Sequence, residues 1–227
     1  MLALSLATLA GKFWSFRIKL KAQSVCEMEN SRQSKESSEL KRGTSLDDYK
    51  LASLGATNKH QLQNTWTLWG VNYDPEIPWE DMLKEIDSFD TVEDFWNLYF
   101  SIDTPSKLNR GCDYMLFKKG IRPMWEDPPN KGGGRWTNSV DKRFSAELDK
   151  IWLDVLLCLI GEACDHCDQI CGALVRIRKN INKISVWTKA DAGDEAIREI
   201  GHKLSCEVLN LKGKKNWIFF PHESQES

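Results

Sequence analysis

Residues 111–136, GCDYMLFKKGIRPMWEDPPNKGGGRW, carry the reading on which the fold turns. The first part, CDYMLFKKGI, reads as a strand, and RWTNSV at 135–140 reads as another. Between them Pro123, Pro128, Pro129 and Gly132 to Gly134 enclose Trp125 and Glu126 in a long loop, since proline cannot donate to a strand ladder and glycine favours turns. Working toward the N-terminus, Val92, Phe95, Trp96 and Tyr99 recur at helical spacing, with Asp90 placed to cap the helix and Glu93 to reach back. Before that, the stretch from Asp74 to Pro78 is a loop presenting Trp79. From His60, the residues Leu62, Trp66, Leu68 and Val71 alternate as in a half-buried strand. Toward the C-terminus, Ser145 to Glu162 is the strongest helix, with Leu148, Ile151, Trp152, Val155, Leu156 and Leu159 at helical spacing and Ser145 as its cap. ICGALVRIRKN and KISVWTKA read as paired strands, DEAIREIGHKLSCEVL as a helix with Ile197, Ile200 and Leu204 on one face, and WIFF as a closing strand. Strands in hairpin-like succession with interspersed helices imply an α+β fold: an antiparallel sheet with helices on one face and the other face free for a ligand.

Composition narrows the function. With 31 basic and 33 acidic residues and a net charge of -2, no global positive field exists to hold a long polyanion, so any nucleic-acid contact is local. The seven cysteines form no framework spacing, which argues for free thiols in a reducing compartment. No run approaches the roughly 18 apolar residues that a membrane span needs. Residues 1–22 are basic and acid-free; this fits the composition of a mitochondrial presequence, but the order of charge and apolar residues is reversed from a secretory signal. The cytoplasm is the expected compartment, with the nucleus and organelle import as alternatives. Residues 1–59 as a whole, with SRQSKESSELKRGTS, read as a disordered tail ahead of one folded domain at 60–222, and 223–227 as a short C-terminal tail.

Tryptophan is over-represented: ten against nine phenylalanines and four tyrosines. For a single tryptophan core packing is the ordinary reading, but two loops that each offer one, separated from a basic strand pair, suit a base-stacking platform. In the Trp125–Glu126 pair the indole can hold a purine and the carboxylate can only accept, which favours the N1–H and N2–H edge of guanine over adenine. Methylation at N7 would make that base cationic and add a cation–π attraction.

WTLW, FDTVEDFW, the 111–136 segment, LLCLIGE, CGALVRIR and KISVW, in this order and at these intervals, resemble the eukaryotic translation initiation factor 4E family from about His60 to about Phe220. The resemblance implies a curved antiparallel sheet with three long helices on its convex face and a slot for the 7-methylguanosine cap of mRNA on the concave side. It places Trp79 and Trp125 as the sandwiching indoles, and Glu126 and the Trp125 backbone N–H on the guanine edge. By the same resemblance Trp187 matches the residue lying against the N7-methyl group, and Arg135, Arg178 and Lys183 match the basic residues around the phosphates. Without the flanking motifs those three cations would pass as solvated surface charge.

Periodicity alone reads Val92 and Trp96 as core. The resemblance instead makes them, with His60, Leu153, Asp154 and Leu157, an exposed dorsal surface for a helical motif of the scaffold factor 4G and of 4E-binding proteins, in the helix-in-groove mode. Two departures touch that surface: Gln61 stands where the family usually has proline, and Asp154 where it usually has glutamate. After WIFF only PHESQES follows, in place of a longer basic tail with serine and threonine. The expected protein is a monomer outside its complexes, without cofactor or metal. Cys164, His166, Cys167 and Cys171 could be taken for a zinc site, but CDHCDQIC is cramped and the free-thiol reading is preferred. None of the four histidines lies in a catalytic motif. The expected role is cap-dependent initiation, with a cap-binding repressor or weak scaffold binder as the alternative.

Overall fold

The computed structural model describes residues 59–208 and 217–222. The expected tails, 1–59 apart from Lys59 and 223–227, lie outside the described residues. Among the described residues seven strands form one sheet: β1 (Gln61–Asn72), β2 (Lys84–Thr91), β3 (Cys112–Lys118), β4 (Gly134–Asp141), β5 (Ile170–Arg176), β6 (Ile181–Thr188) and β7 (Ile218–Pro221). Their order across the curved sheet is β2-β1-β3-β5-β6-β4-β7, and every neighbouring pair is antiparallel. Among the described residues four α-helices accompany them: α1 (Trp79–Met82), α2 (Val92–Ser101), α3 (Ser145–Ile160) and α4 (Asp194–Lys203), the last continued by a π turn at Leu204–Val208.

Period-two alternation separates the faces. Trp66, Leu68, Leu116, Val175, Ile184 and Val186 point to one side and form the main core with Phe95 and Trp96 of α2, with Leu148, Trp152 and Val155 of α3, and with Ile200 of α4. Their neighbours along the strands, Met115, Phe117, Leu174 and Trp187, point the other way and form a smaller cluster with Met82 of α1, against which Trp69 and Trp79 pack. The expected α+β architecture is therefore present, with α2, α3 and α4 on one face.

Several local expectations are corrected. Strand β2, KEIDSFDT, is an edge strand whose first four residues are exposed, so it shows little of the alternation that marks a half-buried strand. Helix α2 is capped by Thr91, which accepts from the Asp94 N–H at 3.1 Å, and not by Asp90. Glu93 reaches instead to the His60 backbone N–H at 2.8 Å. Helix α3 has Phe144 at its N-cap position with no side-chain cap bond, and it ends at Ile160, two residues short of the expected end. On α4 the buried residues are Ala196, Ile200 and Gly201, followed by Leu204 in the π turn, while Ile197 is half-buried.

Candidate ligand-binding site on the open face

The loop between β3 and β4 has no regular element between Lys118 and Gly134, yet it is held firmly. Asn130 is fully buried, and its Nδ2 donates to the Arg122 and Met124 carbonyls, at 2.8 Å each. Two donor hydrogens on one amide thus fix the backbone on either side of Pro123. The Asn130 and Lys131 N–H groups donate to the Asp127 carbonyl at 2.8 and 2.9 Å, closing the loop's far side. His222, just past β7, donates from Nδ1 to the Asn130 carbonyl at 2.9 Å, and its own N–H donates to the Gly133 carbonyl at 2.8 Å. Burial lowers the His222 pKa, the bond to Asn130 opposes this, and the Arg135 charge adds a smaller lowering. At the tip of this fastened loop Trp125 is 38% exposed and Glu126 is exposed.

Trp79 opens α1 directly after Pro78, a residue that suits the position before a helix, and is half-buried against the Met82 and Trp187 cluster. Trp187 lies on β6, buried, edge-on to Phe117 with centroids 5.5 Å apart and to His222 at 4.4 Å. Its Nε1 has no hydrogen-bond partner among the described residues. Directly opposite Trp187 on β4 is Arg135, and beyond it on β7 is Phe220, whose ring centre is 5.7 Å from the Arg135 guanidinium. Lys183, two alternations along from Trp187, is exposed and pairs in register with Arg176 and Ser139.

Arg178 is not a solvated surface charge. It grips Asp113, whose side chain is fully buried on β3, in a forked pair: Nη1 to Oδ1 and Nη2 to Oδ2, the latter at 2.9 Å. Arg176 approaches the same carboxylate, its Nε 3.5 Å from Oδ2. The open face thus unites Arg135, Arg178, Lys183 and Trp187, with Trp79 packed beside them. Trp125 and Glu126 stand on the adjoining loop and belong to neither apolar cluster. Reading the sequence overlooked Asp113, Arg176, Asn130 and His222. An acid inside the apolar run of β3 was the available signal for the first, and an arginine alternating with Val175 for the second.

On the helical face the exposure expected of the dorsal residues is corrected. Val92 and Trp96 are each 3% exposed and Leu157 is buried, because the Phe95, Trp96 and Tyr99 rings pack on one another and on α3. Leu153 and Asp154 are half-buried, and Asp154 accepts from Lys150 Nζ at 2.9 Å. The exposed aromatic is Phe100, which was not singled out; it is 49% exposed and stacked on Trp96 with centroids 5.4 Å apart. His60 Nδ1 sits 2.6 Å from Glu93 Oε1.

The cysteine expectation also changes. Cys164 and Cys167 are joined as a disulfide, and so are not free thiols, while His166 pairs with Glu199 at 3.0 Å. Cys171 faces away toward the Pro129 carbonyl, and burial pushes its thiol up to about 12. Among the described residues no cluster of three or more His, Cys, Asp or Glu could hold a metal, and no helix is long and apolar enough to cross a membrane.

A helix-backed antiparallel sheet whose open face gathers indoles and guanidinium groups places the protein in the class of α+β proteins with an aromatic, basic sheet face. Comparison with known proteins narrows that class. The family described as eukaryotic initiation factor 4E matches residues 61–227. Eukaryotic translation initiation factor 4E1 of Drosophila melanogaster is 60% identical over 158 residues, which cover 70% of this chain and 60% of that protein. The Homo sapiens factor is 50% identical over 158 residues, 69% of this chain and 72% of that one. Among solved structures, Ascaris suum eIF4E-3 with m7G cap superposes with a TM-score of 0.69 at 42% identity, covering 74% of this chain and 94% of that one. C. elegans eIF4E-3 with the 4E-binding protein Mextli gives 0.66 at 43% identity, covering 69% and 90%. The chain belongs to the eukaryotic initiation factor 4E family.

Proposed function

We propose that this protein binds the 7-methylguanosine cap of mRNA on the open face of its sheet and recruits the initiation scaffold through the helical face, promoting cap-dependent translation in the cytoplasm. The observation that carries the reading is the juxtaposition on one face of Trp187 with Arg135, Arg178 and Lys183, bordered by Trp79 and the Trp125–Glu126 loop. In this reading Trp79 and Trp125 sandwich the methylated base, each ring contributing a cation–π attraction of about 1 kcal/mol or more once desolvated. Glu126 accepts the N1–H and N2–H edge, and the Trp125 N–H serves the base carbonyl. Trp187 supplies an apolar wall for the methyl group, and the cations take the phosphates. These are binding roles; none requires a bond to be made or broken. Relatives solved with m7G cap and with the 4E-binding protein Mextli support a cap and a 4E-binding protein as the two kinds of partner.

On the helical face, Phe100, Leu153 and the edges of Val92, Trp96 and Leu157 provide an apolar floor for a partner helix of factor 4G or a 4E-binding protein, with His60 and Asp154 at its margins. One observation favours a second reading, a cap-binding repressor that engages the scaffold weakly: the Asp154 carboxylate is already drawn along α3 by Lys150. A tryptophan-fluorescence titration tests the main reading. Saturable quenching by a methylated cap analogue, far stronger than by GTP, is expected. Equal or absent quenching in folded protein overturns it.

A further inference from the structure

One carboxylate cannot fully serve two guanidinium groups. Arg178 already occupies both oxygens of Asp113. Arg176 is left with a single 3.5 Å approach, and its Nε is buried without a hydrogen-bond partner among the described residues. Burial destabilises the Arg176 cation most; Asp113 offsets this, and the Arg178 and Arg135 charges add to it. A lysine or histidine so placed could shed its proton, but arginine cannot. The positive charge therefore persists, and an anion on the open face is what would balance it. Position agrees with charge: Arg176 is in register with Asp113 on one side and with Lys183 on the other, in the middle of the basic row.

We propose that Arg176 forms a further phosphate subsite, its spare donors binding non-bridging oxygens of the polyphosphate that follows the base, while Arg178 is held in place by Asp113. The proposal rests on the cap-binding reading. A guanidinium suits it because its planar fork can hold two oxygens at once. Since the Arg178–Asp113 pair is complete without it, Arg176 is dispensable for neutralising the buried carboxylate.

The test is a fluorescence titration of wild type and Arg176→Gln with 7-methylguanosine and with its mono-, di- and triphosphates, at two salt concentrations. Arg176→Asn is made in parallel so that a folding failure in one variant does not end the test. The expected result is unchanged affinity for the nucleoside and a loss for the triphosphate of about tenfold, the size of one charge-assisted hydrogen-bond pair. The salt dependence should also become shallower. An identical gain per phosphate in wild type and variants overturns the subsite, as does an equal loss for nucleoside and triphosphate, which would mark a structural residue. Absence of binding by the wild type overturns the cap reading itself.

Discussion

Asn130→Ala and Asn130→Asp test what holds the Trp125 loop. Both donors of the Asn130 amide are used, toward Arg122 and Met124, in a fully buried site. Alanine removes both bonds at about 1 kcal/mol each, and a carbonyl left unsatisfied in the interior adds to this, for a total of about 2–4 kcal/mol. For a domain of this size that corresponds to a fall of roughly 5–15 °C in Tm. Aspartate is nearly the same shape but sets acceptor against acceptor, so at neutral pH it should be less stable than alanine. Its deficit should shrink on acidification: burial raises the new carboxyl's folded-state pKa, so the folded state takes up a proton before the unfolded chain does. Thermal melts at pH 7 and pH 5, together with cap-analogue titrations, give the order wild type, alanine, aspartate in stability at pH 7 and weaker binding in both variants. An aspartate variant as stable as alanine at pH 7, or an alanine variant within about 0.5 kcal/mol of wild type, would refute the account of the amide as the loop's fastening.

His222 gives a pH signature. Its folded-state pKa lies below the ordinary 6.5 because of burial and the Arg135 charge, so the unfolded chain binds the proton first. Its contribution is complete above that pH and declines as pH falls below it; the slope measured by chemical denaturation should flatten in His222→Gln. Trp96→Ala should cost about 3–5 kcal/mol, because it empties a buried site, whereas Phe100→Ala should leave cap binding and Tm nearly unchanged while weakening a partner helix in a pull-down. A Phe100→Ala protein that loses cap binding while folded would contradict the separation of the faces. Gly172→Ala should destabilise by about 1–3 kcal/mol, since a Cβ there would lie 2.4 Å from the Leu116 carbonyl and 2.5 Å from the Phe117 ring; displaced Phe117 would disturb Trp187, so melting and cap titration should fall together.

The elements that could be read from the sequence are those whose reasons are local. Prolines and glycines around Trp125 announce a loop wherever they occur, and the apolar period of α3 is written in consecutive turns. The role of β2 depends on pairing with β1 across the α1 turn, and a largely exposed edge leaves little apolar alternation to detect. Thr91 prevailed over Asp90 as the cap because the chain is still extended there as β2 ends, which a count of spacings does not register. The period of α2 alone reads Trp96 as core, and it is the resemblance that turns it outward; the α3 face that covers it lies some fifty residues on. Arg176 and Arg178 look alike along the chain. Only the position of Asp113 on a neighbouring strand distinguishes the guanidinium forked on that carboxylate from the one that merely approaches it.

The same alternation that builds the core also fixes the site. In β3, β5 and β6, adjacent residues divide between the faces: Leu116 inward and Phe117 outward, Val175 inward and Leu174 outward, Val186 inward and Trp187 outward. A one-residue slip of β6 would turn Trp187 and Lys183 into the helix-packed core and expose Val186 and Ile184, so the apolar energy that selects the register also selects which cations face the ligand. Desolvating Lys183 without a partner would oppose the slip further. The open face therefore needs no separate device to assemble it. What does require dedicated residues is the loop that no ladder holds, and there the buried Asn130 amide and the His222 ring make the bonds that strand neighbours make elsewhere.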